Sequence, residues 1–276
     1  MLNDITLGQY FPGRSIVHRL DPRMKLIIAV IYITAVFWAS DAYTLSGIFA
    51  VNIIVILLSG IPFAIILKAL KPLVFILAFT VVINVFMSPG ETLIFELGFL
   101  KVYSDGLLRA FLMVLRIVSL VSATSVFISY TTSPTMLTEA IEQLLSPLKK
   151  IRLPVHEFAM MMTIALRMIP VLIEETEKII NAQKARGADF YSGNIIKRAK
   201  ALIPVLIPLL VSAFKRADEL ATAMECRCYR GGGGRTKLKA LKYSAKDLAA
   251  FALAAVFMAA VVVLPKAAAW YFKGGA

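Results

Sequence analysis

Long, nearly uncharged apolar runs limit this chain more than any other feature. Four fill its first half, at roughly Lys25–Ser40, Ala42–Ile61, Pro72–Ser88 and Gly106–Thr131, and a fifth lies near the C-terminus at about Asp247–Lys266. About 20 apolar residues, rising 1.5 Å each as a helix, cross the ~30 Å hydrocarbon layer of a bilayer. With 59% hydrophobic residues and a mean hydropathy of +0.79, the chain reads as an all-α integral membrane protein. The first 24 residues lack an apolar core and carry Arg14, Arg19 and Arg23, so no cleavable leader is expected.

Two runs carry their own start signals. In "LDPR", Asp21 is placed to cap a helix and Pro22 to take its first position, where no amide hydrogen is needed. In "SAKD", Ser244 and Asp247 have capping-box spacing. Charge gives orientation. Arg14, Arg19, Arg23 and Lys25 precede the first run, and Lys68 and Lys71 separate the second from the third. The loop from Pro89 to Asp105 instead carries Glu91, Glu96 and Asp105 against Lys101. The positive-inside rule therefore puts the N-terminus in the cytoplasm and this loop outside. Within it, "LIFELGFLKVY" has the pattern of a small hairpin about Gly98.

Between the fourth and fifth runs the character changes. Thr131 to Ala245 holds 18 Lys+Arg and 10 Asp+Glu, a surplus of +8 within a chain total of +13. No basic stripe with interleaved aromatics accompanies this charge, so it is read as cytoplasmic membrane-protein charge and not as a nucleic-acid surface. The block reads as amphipathic helices, one opened by the Ser133–Pro134 cap and proline. Ile203–Phe214 has 12 residues and two prolines, too short to cross. Phe158–Ile173 has 16, contains Arg167 and runs into Glu174, Glu175 and Glu177. Both are read as apolar faces lying on the membrane or against protein; counting them as spans gives the alternative of seven. The expected domains are a cytoplasmic segment (1–24), a four-span membrane domain (25–131), a cytoplasmic helical module (132–245) and a final span with the C-terminus (246–276).

The module contains a weak internal repeat. "MIPVLI" at Met168–Ile173 recurs as "LIPVLI" at Leu202–Ile207, and each is followed by a charged run ending in a small-Arg-small triplet. The triplets are Ala185-Arg186-Gly187 and Cys226-Arg227-Cys228. Small neighbours let another backbone approach, and a guanidinium offers a planar fork of donors. The competing reading is ordinary capping, in which Arg favours a helix C-terminal dipole. The only cysteines, Cys226 and Cys228, are two apart, where a disulfide would be strained, and the two histidines, His18 and His156, are distant in sequence. A metal site is therefore not expected. "GGGGRT" lacks the Lys-Ser/Thr of a phosphate loop, so neither ATP nor another cofactor is expected in this chain. The glycines serve instead to end the helix and release the chain.

"GQYFPGRSIVHRLDPRMK" at the N-terminus, four spans, a long cytoplasmic helical block with paired triplets, and a last span resemble the transmembrane T component of energy-coupling factor transporters. The resemblance covers essentially the whole chain. It implies a plasma-membrane subunit of an ATP-binding-cassette importer with no catalytic activity of its own, joining two ATPases, which bind ATP and Mg, to a small membrane S component that captures a vitamin or other micronutrient. It further implies that the cytoplasmic helices are coupling helices and that Ala185, Arg186, Gly187 and Cys226, Arg227, Cys228 insert into grooves on the ATPases. The family usually carries Ala-Arg-Gly at both places, so the second triplet departs in both flanking residues.

The residues support this independently. The five runs hold no interior Asp or Glu, whereas ion-coupled transporters usually need intramembrane carboxylates. Met160, Met161, Met162 and Met168 offer a flexible apolar surface for the S component, with core filling as the competing use. In the fourth run, Arg116 is expected to meet backbone carbonyls or a polar side chain such as Asn84, while Arg109 snorkels. A standalone secondary transporter or channel, and a membrane enzyme, are the other classes. The missing carboxylates weigh against the first, and the absence of a His, Cys and carboxylate cluster against the second.

Overall fold

The computed structural model describes residues 10–39, 41–87, 93–97, 100–151, 154–190, 194–231, 241 and 243–273. They form two compact units: Gly8–Ala140 with Ala240–Ala276, and a second drawn mainly from Ile141–Lys239.

In the first unit, α1 (Pro22–Trp38) is the axis of packing. Asp21 caps it, its side chain accepting from the Arg23 N–H, and Pro22 opens it. Ile28, Ala29, Tyr32, Ala35 and Val36 are all buried. They meet Leu45 and Ile48 of α2 (Ala42–Ser59), Ala123 of α5 (Ser104–Thr124), and Ala254 and Val261 of α9 (Ala245–Lys273). The small residues Ala29, Ala35, Ala123 and Ala254 let these backbones approach closely, as membrane helices require. α2 stops at Gly60, whose φ of 68° only glycine adopts freely.

α3 (Phe63–Leu70) passes through one tight turn, Lys71–Leu73, straight into α4 (Val74–Met87). Lys68 and Lys71, expected in a loop, are therefore helical. Pro72 falls within the tight turn and does not end the run. Beyond α4, β1 (Leu93–Leu97) pairs antiparallel with β2 (Leu100–Tyr103), Leu97 opposite Leu100, as the hairpin pattern predicts; Gly98 itself lies outside the described residues. α5 runs on into a wider turn at Ser125–Tyr130, and the Thr131 and Thr132 hydroxyls both donate to the Phe127 carbonyl at 3.1 Å. Among the described residues the fold is thus all-α apart from one two-stranded hairpin.

Among the described residues, five helical stretches have the length and apolarity to cross a membrane: Ala42–Ser59, Phe63–Phe86, Ser104–Tyr130, Val155–Ala185 and Ala245–Val263. Their number agrees with the sequence expectation but the set differs. α1, with 17 residues, sits at the short limit for a span. α7 (Val155–Ala185) qualifies through one apolar stretch within an unbroken 31-residue helix, the least apolar such stretch of the five.

The second unit is built on α7 and α8 (Ile195–Cys226), reached from α6 (Pro134–Leu144). His156 Nδ1 lies 2.9 Å from the Glu142 carboxylate, fixing the start of α7. Both long helices contain prolines, Pro170 in α7 and Pro204 and Pro208 in α8. Pro208 cannot supply the amide that the Pro204 carbonyl would otherwise receive. The Gln183 side chain of α7 donates to that carbonyl instead, at 3.3 Å.

Candidate functional site

The two arginine triplets share one backbone geometry. α7 ends with Arg186 half outside the helix and Gly187 left-handed at φ 85°. The Gly187 N–H donates to the Lys184 carbonyl at 2.9 Å, and the Ala188 N–H to that of Gln183 at 3.0 Å. α8 ends the same way. The Cys228 N–H donates to Glu225 at 2.8 Å and the Tyr229 N–H to Met224 at 3.1 Å. This is the paired 6→1 and 5→2 pattern of a Schellman end. Cys228 takes the glycine's place at φ 55°, the only non-glycine at positive φ among the described residues. The helix therefore stops before the glycine run, contrary to the expectation that the glycines end it.

Arg186 and Arg227 hold equivalent places, each the last residue before the left-handed turn. Both are exposed, as are Cys226 and Cys228, which are free thiols. Neither guanidinium is needed to close its helix, because the backbone bonds already do so. That leaves their donors available.

α7 and α8 are antiparallel where they touch. Glu175 accepts from Ser212 at 2.5 Å and from both the Nε and Nη2 of Arg216, at 3.2 and 2.8 Å. One helical stretch away, Gln183 meets Pro204. Moving forward along α7 thus means moving backward along α8, and the triplets lie at opposite ends of the pair. Counted through these contacts, about 26 residues of helix, roughly 40 Å, separate Arg186 from Arg227. From Pro170 to Arg186 is 16 residues and from Pro204 to Arg227 is 23, so the arms are unequal, and the antiparallel order makes them point apart.

The methionines divide. Met161 and Met162 are 57% and 40% exposed and share a stripe with Phe158 at 58%, whereas Met160 and Met168 are partly buried. On α8, Ile203, Leu206, Ile207, Leu210, Val211 and Phe214 are each more than half exposed. Monomeric surfaces rarely leave so continuous an apolar face uncovered unless it meets lipid or protein.

Sequence reasoning missed a polar knot in the first unit. Arg23 grips Asp21 through two bonds, Nε to Oδ1 at 3.0 Å and Nη2 to Oδ2 at 2.8 Å, and its guanidinium stacks 3.8 Å over the Tyr243 ring. Asp247 accepts from the Asp21 N–H at 2.8 Å and the Ser244 N–H at 2.7 Å, completing the capping-box half expected at α9. Lys25, 2% exposed, directs Nζ to the Thr131 carbonyl at 2.8 Å and the His18 carbonyl at 3.3 Å. Only the start signals "LDPR" and "SAKD" hinted at it.

His18 organises the segment before α1. Its Nε2 lies 2.9 Å from the Phe11 carbonyl and its Nδ1 2.7 Å from the Ser15 hydroxyl. A neutral ring donating to Phe11 and accepting from Ser15 satisfies both. Burial depresses its pKa below the usual imidazole value, the Phe11 carbonyl opposes this, and nearby Lys25 adds to the depression.

Among the described residues, no three His, Cys, Asp or Glu side chains gather where they could hold a metal. What the structure offers is a compact helical membrane unit and a separate pair of long antiparallel helices, each tipped by an exposed arginine. That combination defines a helical membrane protein. Residues 13–238 match the family described as "Cobalt transport protein". The chain is 50% identical over 266 residues to the "Energy-coupling factor transporter transmembrane protein EcfT" of Ruminiclostridium cellulolyticum, covering 96% of this chain and 98% of that one. It is 48% identical over 249 residues to the protein of the same name from Bacillus subtilis, covering 90% and 93%. The chain belongs to this family, the transmembrane components of energy-coupling factor transporters.

Proposed function

We propose that this chain is the energy-coupling transmembrane subunit of an ATP-binding-cassette importer. It links ATP hydrolysis in two partner ATPases to reorientation of a small membrane S component that binds a vitamin or other micronutrient. ATP and Mg are bound by the partners, and this chain performs no catalysis. Its N-terminus is cytoplasmic in the plasma membrane, the side favoured by Arg14, Arg19 and Arg23. The names of the relatives support the role, and the absence of any nucleic-acid pattern leaves its basic charge to the cytoplasmic face.

The observation that carries the reading is the matched pair of Schellman ends at Ala185-Arg186-Gly187 and Cys226-Arg227-Cys228. Two equal docking tips on opposite ends of one helix pair suit two ATPases better than one. When ATP draws the ATPases together, two arms tied at Glu175–Arg216 and Gln183–Pro204 are driven as a pair. The exposed apolar stripes, with Met161 and Met162 central and Met160 and Met168 beside them, then slide against the S component.

Purification of Arg186→Glu, Arg227→Glu and the double variant from native membranes tests this. Each single change should weaken ATPase co-purification, and the double should abolish both it and uptake while leaving the chain inserted. Normal uptake by the double variant would refute the proposal.

A further inference from the structure

A groove of about 620 Å³ runs along the first unit between α1, α2 and α9, lined by Ile28, Ile31, Tyr32, Val55, Leu253 and Phe257. Its wall is almost wholly apolar. At one end it opens onto a smaller hollow of about 180 Å³ lined by Arg14, Arg19 and Lys246. Ile16, Leu20 and Lys246 line both, so the two are one continuous surface.

Among the described residues the charge at this mouth has no ion-pair partner. Arg14, Arg19 and Lys246 are exposed, and none forms an ion pair among the described residues. The nearest carboxylates in the chain's own knot are already engaged: Asp21 with Arg23, and Asp247 with the amides of Asp21 and Ser244. Three cations converge where α9 begins and the segment before α1 passes. From Lys246 to Phe257 the groove follows α9 for about 16 Å, the depth of one leaflet in a ~30 Å hydrocarbon layer.

We propose that this surface binds one anionic phospholipid, its phosphate held by Arg14, Arg19 and Lys246 and an acyl chain laid in the groove below. A free phosphate would use the cations but leave the groove empty. A zwitterionic lipid would use the groove but gain little from three cations. Only an anionic lipid satisfies both parts. Polybasic segments at a membrane surface gain roughly fivefold in affinity for anionic lipid per Lys or Arg, so three cations give on the order of 100-fold. The inference requires only that the chain lies in a membrane and is independent of its coupling role.

The full chain, purified in a neutral detergent, can be titrated with dioleoyl phosphatidylglycerol, dioleoyl phosphatidylcholine and inorganic phosphate. Retained lipid is counted by native mass spectrometry and affinity followed by thermal shift. One phosphatidylglycerol should be retained, bound on the order of 100-fold more tightly than phosphatidylcholine. The combined Arg14→Ala, Arg19→Ala and Lys246→Ala variant should erase that preference, and its exposed side chains make a folding defect unexpected. Ala250→Phe, which fills the groove below the mouth, should weaken both lipids and leave phosphate unaffected. Equal binding of the two lipids, a preference surviving the triple variant, or inorganic phosphate competing at the concentrations that phosphatidylglycerol needs would each overturn the proposal.

Discussion

Gly187 and Cys228 occupy the same left-handed position, one residue beyond the arginine that ends each long helix. At φ 85° glycine is at home, whereas cysteine at φ 55° carries a Cβ that the left-handed region penalises by roughly 1–2 kcal/mol. Cys228→Gly should therefore stabilise the end of α8 by up to about 1 kcal/mol, after glycine's extra chain entropy is subtracted. Gly187→Ala should destabilise the end of α7 by about 1 kcal/mol although no atom lies within 4 Å of its Cβ. Thermal unfolding of the purified chain reads both. On the proposed reading, in which the thiols are only small spacers, Cys226→Ala with Cys228→Gly should leave uptake nearly unchanged; a large loss would assign them chemistry.

Gly13 and His18 make a second test. A Cβ on Gly13 would lie 2.5–2.9 Å from three atoms of the His18 ring. Gly13→Ala should push the imidazole off the Phe11 carbonyl and the Ser15 hydroxyl and cost about 1–3 kcal/mol. Adding His18→Ala should recover part of that loss. If the double variant is no more stable than Gly13→Ala alone, the clash is not the cause.

The same ring predicts a pH dependence. Its folded pKa lies below the ordinary value of about 6.5, so the unfolded chain binds the proton more readily. Stability from neutral His18 is complete above that value and is lost as pH falls below it through the depressed one. A protonated Nδ1 can no longer accept from Ser15. Replacing His18 with Gln should flatten the stability profile of the full chain below about pH 6.5; an unchanged slope would remove His18 from the account.

How far the sequence could reveal this follows from where each signal lies. Asp21–Pro22, Ser133–Pro134 and Ser244–Asp247 announced their helices because a cap is a local event. Met136 N–H does reach the Ser133 hydroxyl, at 3.4 Å. The bond from the Asp21 amide to Asp247 spans 226 residues and has no local pattern, so the knot stayed hidden. Lys68 and Lys71 looked like a loop because charge interrupts an apolar run, yet helix continuity depends on backbone geometry, which lysine favours. The triplets were legible as a repeat. Their opposed directions were not, because antiparallel packing is set by Glu175, Ser212 and Arg216, three residues with nothing in common along the chain.

Asp247 should be intolerant of a neutral isostere. Both its oxygens accept from backbone amides and it is 3% exposed. Asp247→Asn turns one acceptor into a donor facing an N–H, whichever way the amide sits. The expected cost is about 1–3 kcal/mol, the penalty of leaving a buried amide unpaired. A thermal shift equal to that of an exposed surface change would show the knot to be dispensable.

Arg116 is a partly buried charge within α5. Its Nη2 donates to the Ala39 carbonyl at 2.6 Å, tying the middle of α5 to the end of α1. The expected alternative partner, Asn84, instead bonds within α4, to the Thr80 carbonyl at 2.9 Å. Ala39 lies just past the last helical residue of α1, where a carbonyl has no helical amide to receive. Arg116→Leu would therefore strand that oxygen and should cost about 1–2 kcal/mol. Arg116→Lys has a shorter reach and one ammonium in place of a fork, so it should restore only part of the loss. Unfolding of both variants in detergent separates the two effects. If Lys and Leu are equally damaging, length and planarity matter and charge does not; if Leu is harmless, the Ala39 contact contributes nothing to holding α1 against α5.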